Sequence, residues 1–504
     1  MNLAQATLFP NLHSLQHHPL GSSFTGDTHS VISSLPTLDA VIGYEEKRPD
    51  VLDKLTQGYP RFVRHALVQQ ACAKVASEQG WATAFVCLVT NPATAQRLCA
   101  FAGKRIGQHD TAAFTALAFK PHTLTADRAR AYMQHTGAQI SSRQAEDWLL
   151  RRHCTGRSPA SEAAITQVLL PWLCGATERD VTLACGGANA FYSAYDAISA
   201  VQAPRGRDVW VQLGWLYVDS GMVLDRFASD EAPVQRIRMG GLDALQAFLE
   251  EHGSRVAGIA CEAPSNPLLE TPDLERLFGL ARAHGALLLI DPTVSSLVNV
   301  EVLPYADVLV CSLTKYAARG ADVLAGCVVV NPQIPDAGAL RERIQAIASP
   351  LYARDAERLA EEIEQMPAFV RQVNANALAL VAFLNAHPRV SNVRHALQQA
   401  CLEAYRRISR GDSGPGALLS FSVNGSLSAF FDALTLPKAA SFGAEFTIAS
   451  PFLYLAHYDL VSTQDGRAGL VAQGIDPDLI RVSVGIEPID ALIATFERAF
   501  AQLA

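Results

Sequence analysis

The chain has 504 residues, 49% of them apolar and 18% charged, with a formal net charge of −8. That length leaves room for about three domain-sized units and a core large enough to need no disulfide or metal staple. The acidic balance argues against nucleic-acid binding, whose footprint is basic, and no apolar run reaches the length expected of a membrane span.

Residues 1–30, rich in Asn, Gln, His, Ser and Gly, read as a loose arm. From Leu35 to Arg61 the Pro and Gly content predicts loops broken by short helices. Trp81–Val89 is a candidate strand, and residues 158–173 and 188–201 read as helices. From about 181 the pattern becomes strand, turn, helix, repeated. Val181–Cys185, Asp208–Leu213, Val256–Cys261, Ala286–Asp291 and Asp307–Cys311 are apolar strands, and Val323–Val330 is read as closing the sheet. A helix over Pro272–His284 is expected, with Thr271 as its N-cap. Near-continuous apolar strands alternating with helices mean a mostly parallel sheet covered on both faces. A helical stretch at 336–387 leads to a second set of elements: Ala417–Val423, Phe446–Ser450, Ile480–Val484 and a last helix, Ile489–Leu503. The expected division is 1–150, an arm and extension; 151–335, a large α/β domain; 336–390, connecting helices; and 391–504, a smaller α+β domain.

The ten cysteines show no CxxC pair. Cys87, Cys261, Cys311 and Cys327 lie in apolar runs and read as buried small hydrophobes, not as metal ligands or disulfide partners. No metal site is expected. This usage suits a reducing compartment. The first Lys or Arg is Lys47, so the chain reads as cytoplasmic, without a basic secretory leader or an Arg-rich transit peptide.

The chemistry concentrates in Ser312-Leu-Thr314-Lys315-Tyr. It places one lysine, flanked by two hydroxyls, just after a buried strand, where open α/β sheets hold their ligands. Asp291 ends the neighbouring run Leu-Leu-Leu-Ile-Asp, with Thr293 two residues on. Alone, Asp291 reads equally well as a turn or cap residue. With Lys315 it completes the pair that pyridoxal phosphate (PLP) requires: a lysine for the Schiff base and a carboxylate for the ring nitrogen. Gly186-Gly187-Ala188 opens a helix after a strand, so its amides suit an anion, although an ordinary tight turn looks the same. Asn266 reads either as part of a polar turn or as a residue placed over the cofactor ring. Arg481, inside an alternating strand, reads as a salt-bridge partner or as a clamp on a substrate carboxylate.

Four segments, Glu262-Ala-Pro-Ser-Asn-Pro-Leu-Leu, His284-Gly-Ala-Leu-Leu-Leu-Ile-Asp-Pro-Thr, Ser312-Leu-Thr-Lys-Tyr and Ile480-Arg-Val-Ser-Val-Gly-Ile-Glu, resemble in sequence and order the cystathionine γ-synthase-like family of PLP-dependent enzymes of Cys/Met metabolism. Ser34-Leu-Pro-Thr, Val41-Ile-Gly-Tyr-Glu-Glu, Gly58-Tyr-Pro-Arg-Phe, Gln134-His-Thr-Gly, Ile140-Ser-Ser-Arg and Ser441-Phe-Gly-Ala-Glu-Phe-Thr are similar to the long, fungal-type members.

The resemblance implies a fold-type-I PLP enzyme, with a large domain built on a mostly parallel seven-stranded sheet and a smaller C-terminal domain. It implies that Lys315 is the Schiff-base lysine and proton shuttle, and that Asp291 meets the ring nitrogen. Gly187, Ala188, Ser312 and Thr314 would hold the phosphate. Arg143 would reach the phosphate of a neighbouring subunit's cofactor. Arg481 would hold the substrate carboxylate, and Ser441 would stand beside the lysine. The chain departs from the family pattern at Ser141, where a tyrosine is usual, at Leu213, where a ring-stacking aromatic is usual, and at Asp291-Pro-Thr293, for Asp-Asn-Thr. Trp215 and Tyr217 are candidates to replace the stacking ring. The implied activity is γ-replacement on an O-acylhomoserine, with cysteine giving L-cystathionine. The rivals are γ- or β-elimination, replacement with another sulfur or carbon nucleophile, and a non-catalytic binding protein. The implied assembly is a homodimer at least, and a homotetramer by family habit; small amino acids, not nucleic acid or membrane, are the expected partners.

Overall fold

The computed structural model describes residues 14–57, 63–153, 156–229, 231–411 and 414–503. Residues 1–13 of the expected arm and the Gly58–Phe62 segment lie outside them. Among the described residues the strands run β1 Phe85–Val89, β2 Gly107–Asp110, β3 Thr115–Phe119, β4 Val181–Ala184, β5 Val209–Leu213, β6 Gln235–Ile237, β7 Val256–Glu262, β8 Leu287–Asp291, β9 Val308–Ser312, β10 Gly326–Val330, β11 Val390–His395, β12 Leu418–Val423, β13 Ile448–Pro451 and β14 Ile480–Ser483. They form a three-stranded sheet (β1-β3-β2), a seven-stranded sheet (β4-β10-β9-β8-β7-β5-β6) and a four-stranded antiparallel sheet (β11-β12-β14-β13). The seven-stranded sheet is parallel from β9 to β6, while β10 runs antiparallel to both β4 and β9.

The apolar runs have no polar face because both faces of the large sheet are covered. Along β8, Leu288 and Ile290 enter one core and Leu287 and Leu289 the other. Along β9, Leu309 and Cys311 alternate with Val308 and Val310 in the same way. Helices Gly187–Gln202 and Ala337–Ile347 cover one face with Ala190, Ala194, Ile198, Leu340 and Ile344. Helices Leu242–His252, Leu274–His284 and Ala353–Ile363 cover the other. The strands therefore end together, and β7, β8 and β9 deliver Glu262, Asp291 and Ser312 to one edge.

Several expectations change. The Val323–Val330 run becomes β10, which sits between β4 and β9 instead of closing an edge. The helix expected from Pro272 begins at Leu274, and its N-cap is Asp273, whose side chain accepts from the Arg276 N–H. Met366–Ala386 is a helix long and apolar enough to cross a membrane, although the sequence reading found none. Its buried face is spent on protein: Phe369, Val370 and Val373 enter the large-sheet core, and Leu380, Val381 and Leu384 the C-terminal core. The described part of residues 1–150 divides between two cores. Leu35, Val41, Tyr44, Val51 and Leu55 pack into the C-terminal core, while β1 and β3 lay Cys87, Val89, Leu117 and Phe119 against the large-domain core.

Candidate active site

The edge where β7, β8 and β9 end opens on a cavity with about 860 Å³ of empty space, counting its mouth. Register places Glu262 beside Asp291. Asp291 Oδ1 accepts from the Thr293 backbone N–H at 2.8 Å and from the Thr293 hydroxyl. The same Thr293 oxygen accepts from the Ser312 N–H at 2.9 Å, tying the tips of β8 and β9 together. Burial pushes the Asp291 carboxyl up to about 6, against the pull of the two Thr293 hydrogen bonds. Glu262 accepts from the backbone N–H groups of Tyr217 and Asn266. Burial, then the charge of Asp291, holds it well above the usual carboxylate range.

Lys315 lies past the tip of β9 and is only 5% exposed. Its Nζ is 2.9 Å from Ser441 Oγ and 4.8 Å from the centre of the Phe442 ring. Burial, with Arg481 adding like-charge repulsion, lowers its ammonium to about 7. The amine is thus substantially neutral near neutral pH, the form in which it attacks a carbonyl. Arg481 projects from β14, and its Nη1 donates to Asn266 Oδ1 at 3.3 Å and its Nη2 to the Ser441 carbonyl at 2.9 Å. Phe452 lies 4.8 Å from the guanidinium.

Gly187 begins the helix Gly187–Gln202. A Cβ there would lie 2.7 Å from Ser312 Cβ, so only glycine allows the helix to come this close to the tip of β9. The Ser312 hydroxyl is buried and has no hydrogen-bond partner among the described residues. An orphaned hydroxyl at a helix N-terminus fits an anion such as phosphate. Two buried acids side by side fit a cationic ring nitrogen. The residues present therefore fit PLP. Lys315 would carry it, Asp291 with Thr293 would meet the ring nitrogen, and Gly187, Ala188 and Ser312 would take the phosphate.

The fold brings Gly187, Ala188, Asn266 and Asp291 to this cavity, together with Thr293, Ser312, Lys315 and Arg481; Ser441 joins through Lys315. One expected residue, Thr314, is placed elsewhere. The Thr314 hydroxyl is bonded to the Ala325 backbone N–H and carbonyl, at 2.9 and 3.3 Å, and not turned to the cavity. Arg143 forms buried ion pairs with Asp322 (2.7 Å) and Asp355 (3.1 Å). Ser141 caps the helix Ser142–Leu149 by accepting from the Gln144 N–H. Leu213 is core, and Trp215 packs edge-on against His457; of the aromatic replacements, Tyr217 lines the cavity.

The sequence reading assigned no role to Glu262, Phe442, Ser450, Phe452 or Leu455, which also line the cavity. Glu262 carried the same signal as Asp291, a carboxylate ending a wholly buried strand. The others come from the small domain, where no periodicity marks them.

The chain matches the family model described as Cys/Met metabolism PLP-dependent enzyme over residues 176–501. It is 37% identical over 489 residues to the L-2-amino-4-chloropent-4-enoate dechlorinase/desaturase of Streptantibioticus cattleyicolor, covering 94% of this chain and 97% of that one. It is 33% identical over 328 residues to cystathionine γ-synthase of Neurospora crassa, 64% of this chain but only 52% of the relative. Among solved structures, cystathionine γ-lyase from Lactobacillus plantarum shares the fold with a TM-score of 0.57 and 23% identity, over 68% of this chain and 86% of that one.

Proposed function

Because the chain belongs to the Cys/Met metabolism family of PLP-dependent enzymes, we propose that it eliminates a small leaving group from the γ-carbon of a short α-amino acid. L-2-amino-4-chloropent-4-enoate, in the name of the Streptantibioticus relative, is the proposed substrate. The end-to-end correspondence with that relative, 94% of one chain and 97% of the other, carries the reading. The cavity walls support it. Among the described lining residues Arg481 is the only cation besides Lys315, and Val218, Val294, Phe442, Phe452 and Leu455 supply apolar surface. A chlorovinyl group asks for no hydrogen bonds and suits such walls. Cysteine as a co-substrate would bring a second carboxylate, for which the described lining residues offer no second arginine.

When bound, PLP withdraws electrons from the amino acid's Cα. Arg481, braced by Asn266 and the Ser441 carbonyl, orients the substrate by its α-carboxylate. The Lys315 amine, steadied by Ser441 Oγ, takes the Cα and then the Cβ proton. The apolar walls exclude water that would compete at Cγ. The product is the corresponding 4-alkyne, released with chloride and one proton. The test is mass spectrometry and chloride assay with purified holoenzyme. Alkyne and chloride in equal amounts support the reading; an inert chloro substrate sinks it.

The second reading is γ-replacement on an O-acylhomoserine with cysteine to give L-cystathionine, favoured by the match to the Neurospora γ-synthase. Cysteine-dependent thioether from O-acetyl- or O-succinylhomoserine would establish it. In either case the proposed assembly is a homodimer at least.

A further inference from the structure

Tyr217 lines the cavity at the start of the helix Val218–Phe227. Its backbone N–H is anchored on Glu262, and its phenol donates to Asp219 Oδ2 at 2.6 Å. Asp219 Oδ1 accepts from His135 Nδ1 at 2.9 Å and from Gln134 Nε2 at 3.2 Å. Asp219 and His135 are buried, 2% and 6% exposed. Both nevertheless line a second, more open cavity with about 1220 Å³ of empty space, counting its mouth, whose other walls include Asp127 and Arg130. The two cavities share Val218 and Ala456 as a common wall. A chain of proton-bearing side chains thus runs from the reaction cavity to a charged outer bay.

The γ-elimination reading, on which this inference rests, leaves one proton unaccounted for. Converting CH2=CCl–CH2– to HC≡C–CH2– breaks one Cδ–H bond and the Cγ–Cl bond. The C–H electron pair becomes the new π bond, and chloride leaves with its own pair. Protons that Lys315 lifts from Cα and Cβ are returned, so the net proton lost is the one on Cδ. We propose that Tyr217 is the catalytic group that takes this Cδ proton, passing its own phenolic proton to Asp219. Asp219 then releases it into the outer bay, and His135 and Gln134 are positioning residues that hold Asp219 in line. Deprotonation at the far end of the substrate is thereby separated from that at Cα, which belongs to Lys315.

The test uses holoenzyme and the chloro substrate in D2O, following alkyne formation and, separately, deuterium uptake at Cα. Tyr217→Phe lowers alkyne formation about 100-fold or more, the low end of what a positioned proton-transfer group supplies, and leaves Cα exchange unchanged. Asp219→Asn gives the same split with unchanged KM, which a merely structural role would not. If exchange and alkyne formation fall together, or neither falls, the relay is wrong. A wild-type enzyme inert to the chloro substrate removes the γ-elimination reading and the relay with it. An active wild type without the Tyr217→Phe split removes the relay alone.

Discussion

Lys315 Nζ and Ser441 Oγ, 126 residues apart in sequence, meet at 2.9 Å. The contact holds because Gly443, at φ +74°, lets the loop ahead of β13 lie against the lysine's own backbone. A Cβ at 443 would sit 2.9 Å from the Tyr316 nitrogen and 3.1 Å from Lys315 Cβ. Gly443→Ala is expected to destabilise the protein by about 1 kcal/mol or more and to lower kcat further than Ser441→Ala, which removes one hydrogen bond. Thermal melts and steady-state kinetics of the two variants check this.

Capture of PLP by the apoenzyme needs the neutral Lys315 amine. With that ammonium held at about 7 by burial and Arg481, the capture rate rises with pH through a midpoint near 7. Arg481→Gln, removing the like charge, moves the midpoint upward. Stability follows the same linkage. Between about 7 and the ordinary lysine value of 10.5 the unfolded chain binds the extra proton, so this group's contribution to apoenzyme stability grows as pH rises across that window. A capture midpoint near 10 would refute the lowered value.

Gly187→Ala drives a methyl group against Ser312 Cβ and pushes the helix N-terminus away from the phosphate position. The expected result is PLP affinity reduced about 10-fold or more, measured by equilibrium dialysis, with a smaller loss in Ser312→Ala. Unchanged affinity in both variants would remove these residues from the phosphate site.

Arg143 neutralises Asp322 and Asp355 inside the protein, and burial already pushes Asp355 up. Arg143→Ala leaves buried Asp355 without that cation, while Asp322 keeps Arg358 at 2.9 Å, and costs about 3 kcal/mol, read by chemical denaturation. If stability holds and cofactor affinity falls instead, Arg143 serves a neighbouring subunit's phosphate, as the family resemblance implies.

Arg481 presents a planar fork braced by Asn266 and the Ser441 carbonyl. Lysine cannot reproduce that geometry. Arg481→Lys raises KM about 10-fold or more while leaving bound PLP in place. An equal loss of cofactor would show that the arginine supports the fold instead of the substrate.

Six strands of the large sheet were legible because strands buried on both faces are apolar throughout, as β8 and β9 are; the three-residue edge strand β6, Gln-Arg-Ile, was not. Asp291 and Lys315 stood out as charges where those runs stop. β2 and β11 were not legible: Gly-Gln-His-Asp is half-exposed, and β11 is a partly exposed edge with a register shift between Ser391 and Arg394. The positions of Thr314 and Arg143 were equally hidden, because sequence shows that a hydroxyl or a guanidinium is present but not which neighbour claims it. Ala325 claims the first; Asp322 and Asp355 claim the second. Phe442 and Phe452 reach the cavity from another domain, a relation that spacing along the chain does not encode.

The insertion of β10 between β4 and β9 also sets an order of assembly. β4 ends at Ala184 and is hydrogen-bonded in its sheet to β10 alone, which begins at Gly326. During synthesis β4 must wait, with both hydrogen-bonding edges open, while β5 to β9 emerge. Such long-range pairing is slow and leaves unpaired strand exposed. The helix start at Gly187 and the lysine at 315 therefore share the edge of a sheet that is complete only when β10 slides in, after every other strand of that sheet has been made.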